Sequence, residues 1–237
     1  MEPVQTFVAY TGDAYAIERT LRFLQATFGV LASLSTDVAY VTHSNLARAN
    51  IHLARRFYRA FKWMDCVYEV FAAPKFDYGG LHENVRMLKD SALAMYFFFD
   101  MLILPTAMTG VRGPGNATLE NTALTCWFYA ILLSITLNLI ELSHISTKAA
   151  SAEKDVKANE KSHGTKSPVA KKERLKSTST SARELICNVL DLAIPGVAIG
   201  YVKLDPAYVH IAMATSSLIT MNAIWNRIYA EKEAAPS

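Results

Sequence analysis

Between Asn45 and Phe71 the apolar residues return at steps of three and four, the spacing that places them on one face of an α-helix. At about 3.6 residues per turn this face continues for about seven turns, and it consists of Leu46, Ala49, Leu53, Phe57, Ala60, Met64, Val67 and Phe71. Pro74 and the pair Gly79–Gly80 end the pattern. Because no strand-like alternation persists anywhere in the 237 residues, the predicted fold class is all-α.

Cations gather on the opposite side of this predicted helix, where Arg48, His52, Arg55, Arg59 and Lys62 recur at helical spacing with Arg56 beside them. Such a helix can lie in a membrane interface, with its apolar face among acyl chains and its cations at anionic headgroups. On this interpretation the membrane-binding residues are Arg48, His52, Leu53, Arg55, Arg56, Phe57, Arg59, Ala60, Lys62 and Met64. The alternative is a bundle helix whose apolar face packs in a protein core and whose cations are solvated.

The rest of the chain contains further helical patterns. An amphipathic helix is predicted from Tyr15 to Leu34, and the segment from Leu81 to Leu104 begins amphipathic and becomes apolar around Asp100. Residues 121–140 and 206–226 carry no charge, and a helix of about 20 residues spans about 30 Å, the thickness of one hydrocarbon core. Each run is either a membrane span or part of a buried helix hairpin. Asp100 is either a functional intramembrane carboxylate or a sign that its segment does not span.

These patterns divide the chain into four regions. We expect an amphipathic membrane-binding region at 1–75, an apolar helical membrane region at 81–145, a disordered basic linker at 146–181 and a C-terminal apolar membrane anchor at 182–230. The linker has almost no large apolar residue, and between Lys148 and Arg183 ten Lys or Arg stand against four Asp or Glu, a local charge of +6. Pro105 is expected to end or kink its helix, and Pro195 with Gly196 to break the helical pattern after the linker.

Composition favours membrane association and offers little for catalysis. Apolar residues make up 51% of the chain and charged residues 19%, against about 25% charged in ordinary soluble domains. No GxSxG, HExxH or glycine-rich phosphate loop is present, and the histidines and carboxylates lack the spacing of a metal site. The sequence therefore predicts no catalytic residue, no cofactor, no metal site and no nucleic-acid partner.

Three stretches resemble, in order, the peroxin eleven family of peroxisomal membrane proteins. FVAYTGDAYAIERTLRFLQ is similar to the family's opening, and ERTLRFLQ within it also resembles the divergent fungal branch. ARRFYRAFK (Ala54 to Lys62) resembles the family's basic and aromatic box, with Phe61 where that box usually has glycine. NVLDLAIPGVAIGYVKLD, followed by ATSSLITMNAIW, is similar to its C-terminal Ile-Pro and Ser-Ser segments.

The resemblance implies a protein of the peroxisomal membrane that remodels and elongates the membrane by amphipathic-helix insertion, promoting peroxisome proliferation and fission. It implies an anionic phospholipid membrane as partner, self-association into a homo-oligomer, and cooperation with a dynamin-related GTPase and its adaptors. The alternative is an oligomeric channel or transporter for small metabolites, with Asp100, Asn121, Thr125 and Asn138 along its pathway. Membrane shaping is favoured, because two or three spans are few for a pore unless the chain oligomerises.

Overall fold

The computed structural model of this protein describes residues 2–72, 79–111, 113–158 and 168–234, and all of the regular structure in these ranges is helical. The all-α prediction is therefore confirmed. In chain order the helices are α1 (Glu2–Gly12), α2 (Ala14–Leu34), α3 (Val38–Arg59), α4 (Lys62–Phe71), α5 (Gly80–Thr109), α6 (Asn116–Ala158), α7 (Pro168–Ala198) and α8 (Pro206–Ala234).

Side chains and glycines at the helix ends explain several boundaries. The first backbone N–H groups of a helix have no partner within it, and an aspartate before the helix can accept their hydrogen bonds. Asp13 does so at the start of α2, and Asp37 does so at the start of α3. Gly110, with a φ of 70°, ends α5 in the left-handed conformation that glycine adopts without strain.

Six helices pack into a closed ring. Each contacts its two neighbours in the order α2, α3, α5, α6, α7, α8 and back to α2. Outside this ring, α4 packs on α5, and α1 lies against α2 and α8. All six members of the ring contribute side chains to one interior cavity, so the polar faces of helices distant in sequence meet inside.

Two described helices, Gly80–Thr109 and Asn116–Thr147, are long and apolar enough to cross a membrane. Only 22% and 28% of their most apolar windows are buried, whereas a core helix of a soluble protein is mostly buried. Hydroxyl groups within α6 are satisfied locally, because Thr122, Ser134 and Thr136 donate to carbonyls one turn earlier. The charge-free run at 206–226 lies in α8, which does not reach the same apolarity within the part of the chain that the structure describes.

The single helix predicted from Asn45 to Phe71 is instead two helices, α3 and α4, separated at Ala60 and Phe61. Phe61 has φ −106° and ψ 5°, outside the α-helical region. The N–H groups of Ala60 and Met64 bond three residues back, to Phe57 and Phe61, which tightens the turn. Pro74, expected to end the pattern, lies outside the described residues.

Neither interior proline ends its helix. Pro105 lies inside α5, which continues for another turn to Thr109, and the N–H of Gly110 bonds the carbonyl of Thr106 to close it. Pro195 lies inside α7, which ends at Ala198. The break expected at Gly196 comes after α7, where Tyr201 and Val202 donate their N–H groups back to the carbonyl of Gly196.

The disordered linker predicted for 146–181 differs from the structure in its extent. Residues 146–158 continue α6, and residues 168–181 belong to α7. Residues 159–167 lie outside the described part of the chain. Ala and Lys, which have high helix propensity, are frequent in this segment, so each flanking helix can extend into it.

Candidate membrane-binding face and buried arginine cluster

The apolar stripe of α3 and α4 faces outward. Phe57 is 49% exposed and Met64 is 54% exposed, while Leu53 and Ala60 are half-buried. Phe61, at the break between the two helices, is 72% exposed. These side chains form what we call the apolar face, a surface that the core of the described residues leaves uncovered.

The cations of the same helices point the other way, into the ring. Arg55 is 6% exposed and donates to Glu18 Oε1 on α2 twice, from Nε at 2.9 Å and from Nη2 at 2.8 Å. Its Nη1 donates to Gln25, also on α2. Each Arg55 nitrogen is therefore bound by α2 and not available to a headgroup outside.

Asp100 on α5 binds the next two cations. Its Oδ1 lies 3.0 Å from Nε of Arg56, and its Oδ2 accepts a hydrogen bond of 3.1 Å from Nη2 of Arg59. Arg59 also donates to the hydroxyl of Tyr96. Asp100 is thus a buried carboxylate that two guanidiniums share, which explains how a charge is tolerated in the apolar segment.

Three other predicted membrane-binding residues also have partners or positions inside the protein. Arg48 Nη1 lies 2.9 Å from the His210 ring on α8. Lys62 is half-buried, with its ammonium 4.9 Å from the centre of the Tyr15 ring. His52 lines the interior cavity. In this structure these side chains contact groups of the same chain or line its cavity, and their contact with a headgroup layer stays a prediction.

The pKa values in the buried arginine cluster, which consists of Arg55, Arg56, Arg59 and their partners Glu18 and Asp100, are shifted by burial and by the closeness of several cations. Burial by itself raises the pKa of Glu18, but the charges of Arg55, Arg19 and Arg59 outweigh it and lower that pKa to about 2. Burial, reinforced by Arg56, Arg59 and other arginines, lowers the pKa of His52 to about 3, so this imidazole is neutral at pH 7. Burial lowers the pKa of Arg55 to about 10 despite Glu18, and the guanidinium remains charged at neutral pH.

A third buried ion pair joins α2 to α7. Arg22, 4% exposed, contacts Asp191 through Nη2, and Asp191 in turn accepts a hydrogen bond from Ser216 on α8. Ser216 and Ser217 are almost completely buried and both bond the carbonyl of Met213 one turn back. Three helices of the ring thus meet at this pair.

Two cavities, both partly open to the surroundings, lie at successive levels of the ring. The first, of about 520 Å³, is lined by Arg22 of α2, by side chains within 96–107 of α5 and 116–127 of α6, and by Gly110 after α5. The second, of about 1130 Å³, is lined by Tyr15 and Arg19 of α2 and by residues 134–141 of α6. Asp191 lines the second cavity and Arg22 the first, so their ion pair lies between the two.

The cluster and the residues beside it include several that the sequence pattern did not single out, namely Glu18, Arg22, Gln25, Tyr96 and Asp191. Glu18, Arg22 and Gln25 follow one another at steps of four and three and share one helix face. That spacing is a signal for a second polar stripe. Of the residues expected along a pathway, Asp100 lines the first cavity and Asn138 the second, whereas Asn121 and Thr125 line neither.

Comparison with known protein families gives one match over nearly the whole chain. Residues 4–225 match the family described as peroxisomal biogenesis factor 11 (PEX11). Neither the comparison with curated proteins nor that with solved structures gives a match. The family is one of peroxisome biogenesis factors and not a known enzyme family. By this match the chain belongs to the PEX11 family and is a peroxisomal membrane protein of peroxisome proliferation.

Proposed function

We propose that this protein elongates the peroxisomal membrane by inserting the apolar face of α3 and α4 into one leaflet, and so prepares the membrane for fission. The single observation that carries this proposal is the exposure of Phe57, Phe61 and Met64 on adjacent turns. Apolar side chains that enter only one leaflet expand it relative to the other, which favours curvature.

The arginine cluster has a different role in this proposal from the one that the sequence suggested. Arg55, Arg56 and Arg59 attach α3 to α2 and α5 and thereby fix which side of α3 faces lipid. Affinity for an anionic phospholipid membrane then comes mainly from apolar burial, at about 25 cal/mol per Å². Self-association, and recruitment of a dynamin-related GTPase and its adaptors, complete the proposed pathway to fission. We propose no catalytic activity.

Liposome tubulation by the purified full-length protein tests insertion. Phe57→Asp with Met64→Asp places two carboxylates on the apolar face, and an aspartate costs about 2.5 to 3.5 kcal/mol at the bilayer centre. Because both positions are exposed, the ring itself should remain folded. We expect tubulation to be lost while the melting temperature in detergent is unchanged.

Val111→Asp with Leu204→Asp is the matched control, since both are exposed apolar residues in loops between helices. The control pair should tubulate like the wild type. A folded Phe57→Asp, Met64→Asp protein that still forms tubules at the wild-type protein-to-lipid ratio would exclude insertion of this face.

The arrangement of the cavities favours a second candidate function, a conduit for small polar metabolites. Two cavities follow one another inside a ring of helices, and the Arg22–Asp191 pair separates them. A path of this kind lies within one chain and does not need several copies to enclose it. Flux of small solutes into liposomes, measured beside tubulation on the same protein, distinguishes the two functions.

A further inference from the structure

The 520 Å³ cavity of the ring has two unlike walls. On one side α2 and α3 present Arg22, Arg55, Arg56 and Arg59. On the other side, α5, α6, α7 and α8 present mainly apolar side chains, with the carboxylates Asp100 and Glu120 among them. The apolar residues are Ile103, Leu124, Trp127, Ile194 and Met213. Its volume is in the range of about 300 to 1,000 Å³ that small-molecule sites occupy.

The cavity also lies where α5 ends and α6 begins. Thr106 and Gly110, at the end of α5, and Asn116 and Glu120, at the start of α6, are among its lining residues. The ends of membrane-spanning helices lie at the level of the lipid headgroups. A group carried by a lipid or dissolved in the adjacent water is therefore at the right depth to enter.

The charge of the lining is positive. Four arginines line the cavity against two carboxylates, Asp100 and Glu120. Glu18 and Asp191 compensate Arg55 and Arg22 from the sides of the cavity. Arg56 and Arg59 share the single carboxylate Asp100, so this pair of guanidiniums is not fully neutralised by it.

Four buried nitrogens in this wall have no hydrogen-bond partner. Those of Arg22 and Arg56 lie at ion-pair distance from Asp191 and Asp100, and two others have no such contact. Nε of Arg59 is one, although the Arg59 side chain is only 9% exposed, and Nδ1 of His52 is the other. Both residues line the cavity. A buried polar atom without a partner is destabilising, and an acceptor placed in the cavity would remove that effect for Arg59.

We propose that this cavity binds a phosphate group, carried either by an anionic phospholipid or by a soluble phosphate ester. Guanidiniums bind phosphate oxygens with strong charge-assisted hydrogen bonds. Arg56 and Arg59 share only Asp100 and so supply the donors here, and a tetrahedral phosphate offers oxygens in several directions where a planar carboxylate offers two. The apolar wall opposite accommodates the carbon portion of the same molecule.

This site does not depend on membrane insertion, because it lies inside the ring while the apolar face lies outside. The test uses the full-length protein in detergent micelles and native mass spectrometry. In the lipid arm the probe is phosphatidic acid added with an equal amount of phosphatidylcholine, and in the soluble arm it is glycerol 3-phosphate. We expect one phosphate-bearing molecule to be retained per chain, with at least tenfold preference for phosphatidic acid over phosphatidylcholine if the source is lipid.

Two variants remove the site in different ways. Arg59→Gln removes the donor that lacks a partner, and Ala107→Trp fills the cavity from α5 without changing any charge. Arg227→Gln is the control, because it removes one arginine that is 53% exposed and does not line this cavity. Both site variants should reduce retention at least tenfold, and the control should not.

The results with the two probes distinguish a lipid site from a soluble-ester site. Retention of phosphatidic acid that both site variants lose identifies a lipid site, and saturable glycerol 3-phosphate binding that both lose identifies a soluble-ester site. If Arg59→Gln lowers the melting temperature, its loss of binding could come from unfolding. Ala107→Trp alone then tests whether the cavity is the binding site. The proposal is overturned if neither probe binds, or if Ala107→Trp binds as well as the wild type, since the cavity would then hold only water.

Discussion

Arg55 of α3 and Glu18 of α2 form a buried ion pair in which one carboxylate oxygen accepts from two guanidinium nitrogens, at 2.8 and 2.9 Å. The two side chains are each 7% exposed. Because the pair closes the ring between α2 and α3, it fixes the rotation of α3 about its own axis. The apolar face is outside because this pair is inside.

Removal of one partner of this pair should destabilise the protein strongly. Glu18→Gln leaves Arg55 charged and buried, and breaking a buried pair in this way costs about 3 to 5 kcal/mol. We expect a clear fall in the melting temperature of the detergent-solubilised protein. The exposed pair Arg227–Glu231 provides the control, since Glu231→Gln there should change stability by less than about 1 kcal/mol.

A double variant distinguishes the ion pair from a loss of packing. Glu18→Leu with Arg55→Met replaces both charges by apolar side chains, which is often neutral or stabilising for buried pairs. It should recover most of the stability that Glu18→Gln loses. If the double variant is less stable than Glu18→Gln, then the pair is not the origin of the loss.

Acid should destabilise the fold through His52 before it affects Glu18. The pKa of His52 is lowered from 6.5 to about 3 by burial and by the neighbouring arginines. A depressed pKa contributes stability above the unfolded value, and this stability is lost as pH falls from 6.5 toward 3. Between pH 6.5 and 4.5 the loss from this residue should reach about 2 to 3 kcal/mol at 1.36 kcal/mol per pH unit.

Thermal unfolding between pH 7.5 and 4.5 measures this dependence. His52→Asn should flatten the curve in that interval, whereas His43→Asn, at an exposed position of α3, should leave it unchanged. An identical slope in wild type and His52→Asn would show that another group is responsible. The corresponding loss through Glu18, whose pKa is lowered to about 2, begins only below about 4.5.

The contact between α2 and α8 depends on a glycine. A Cβ added at Gly29 would lie 2.5 Å from Cγ of the His210 ring, closer than real side-chain contacts. Gly29→Ala should therefore destabilise the ring by about 1 to 3 kcal/mol, as overpacking does. His210→Ala in the same chain removes the ring and should restore stability, and the absence of rescue would indicate that α8 does not pack here as described.

Flux through the ring should respond to the pair between the two cavities. Arg22→Ser with Asp191→Ser removes both large charged side chains and joins the first cavity to the second. We expect a severalfold increase in uptake of small polar solutes by liposomes that contain the protein. Lys203→Gln, at an exposed position that lines neither cavity, serves as the control, and equal uptake by all three proteins would rule out a path through the ring.

The periodicity of apolar residues was sufficient to predict the helical class and most of the helices. It also identified the apolar segments that form α5 and α6, because a long, mainly apolar run is stable as a helix that spans a membrane or is buried in a protein. It did not reveal the break at Phe61. The apolar stripe keeps its phase across that residue, so nothing in the local pattern marks where α3 ends and α4 begins.

Only the tertiary structure decided that the arginines of α3 point into the ring. Amphipathic spacing defines two faces but not their surroundings, and the pattern alone predicts cations at lipid headgroups or in solvent. The partners that place it inside, Glu18 and Asp100, lie 37 and 41 residues from the arginines that bind them. In a protein surrounded by lipid, charged side chains are stabilised by one another in the interior, and that pairing exists only once the distant helices have come together.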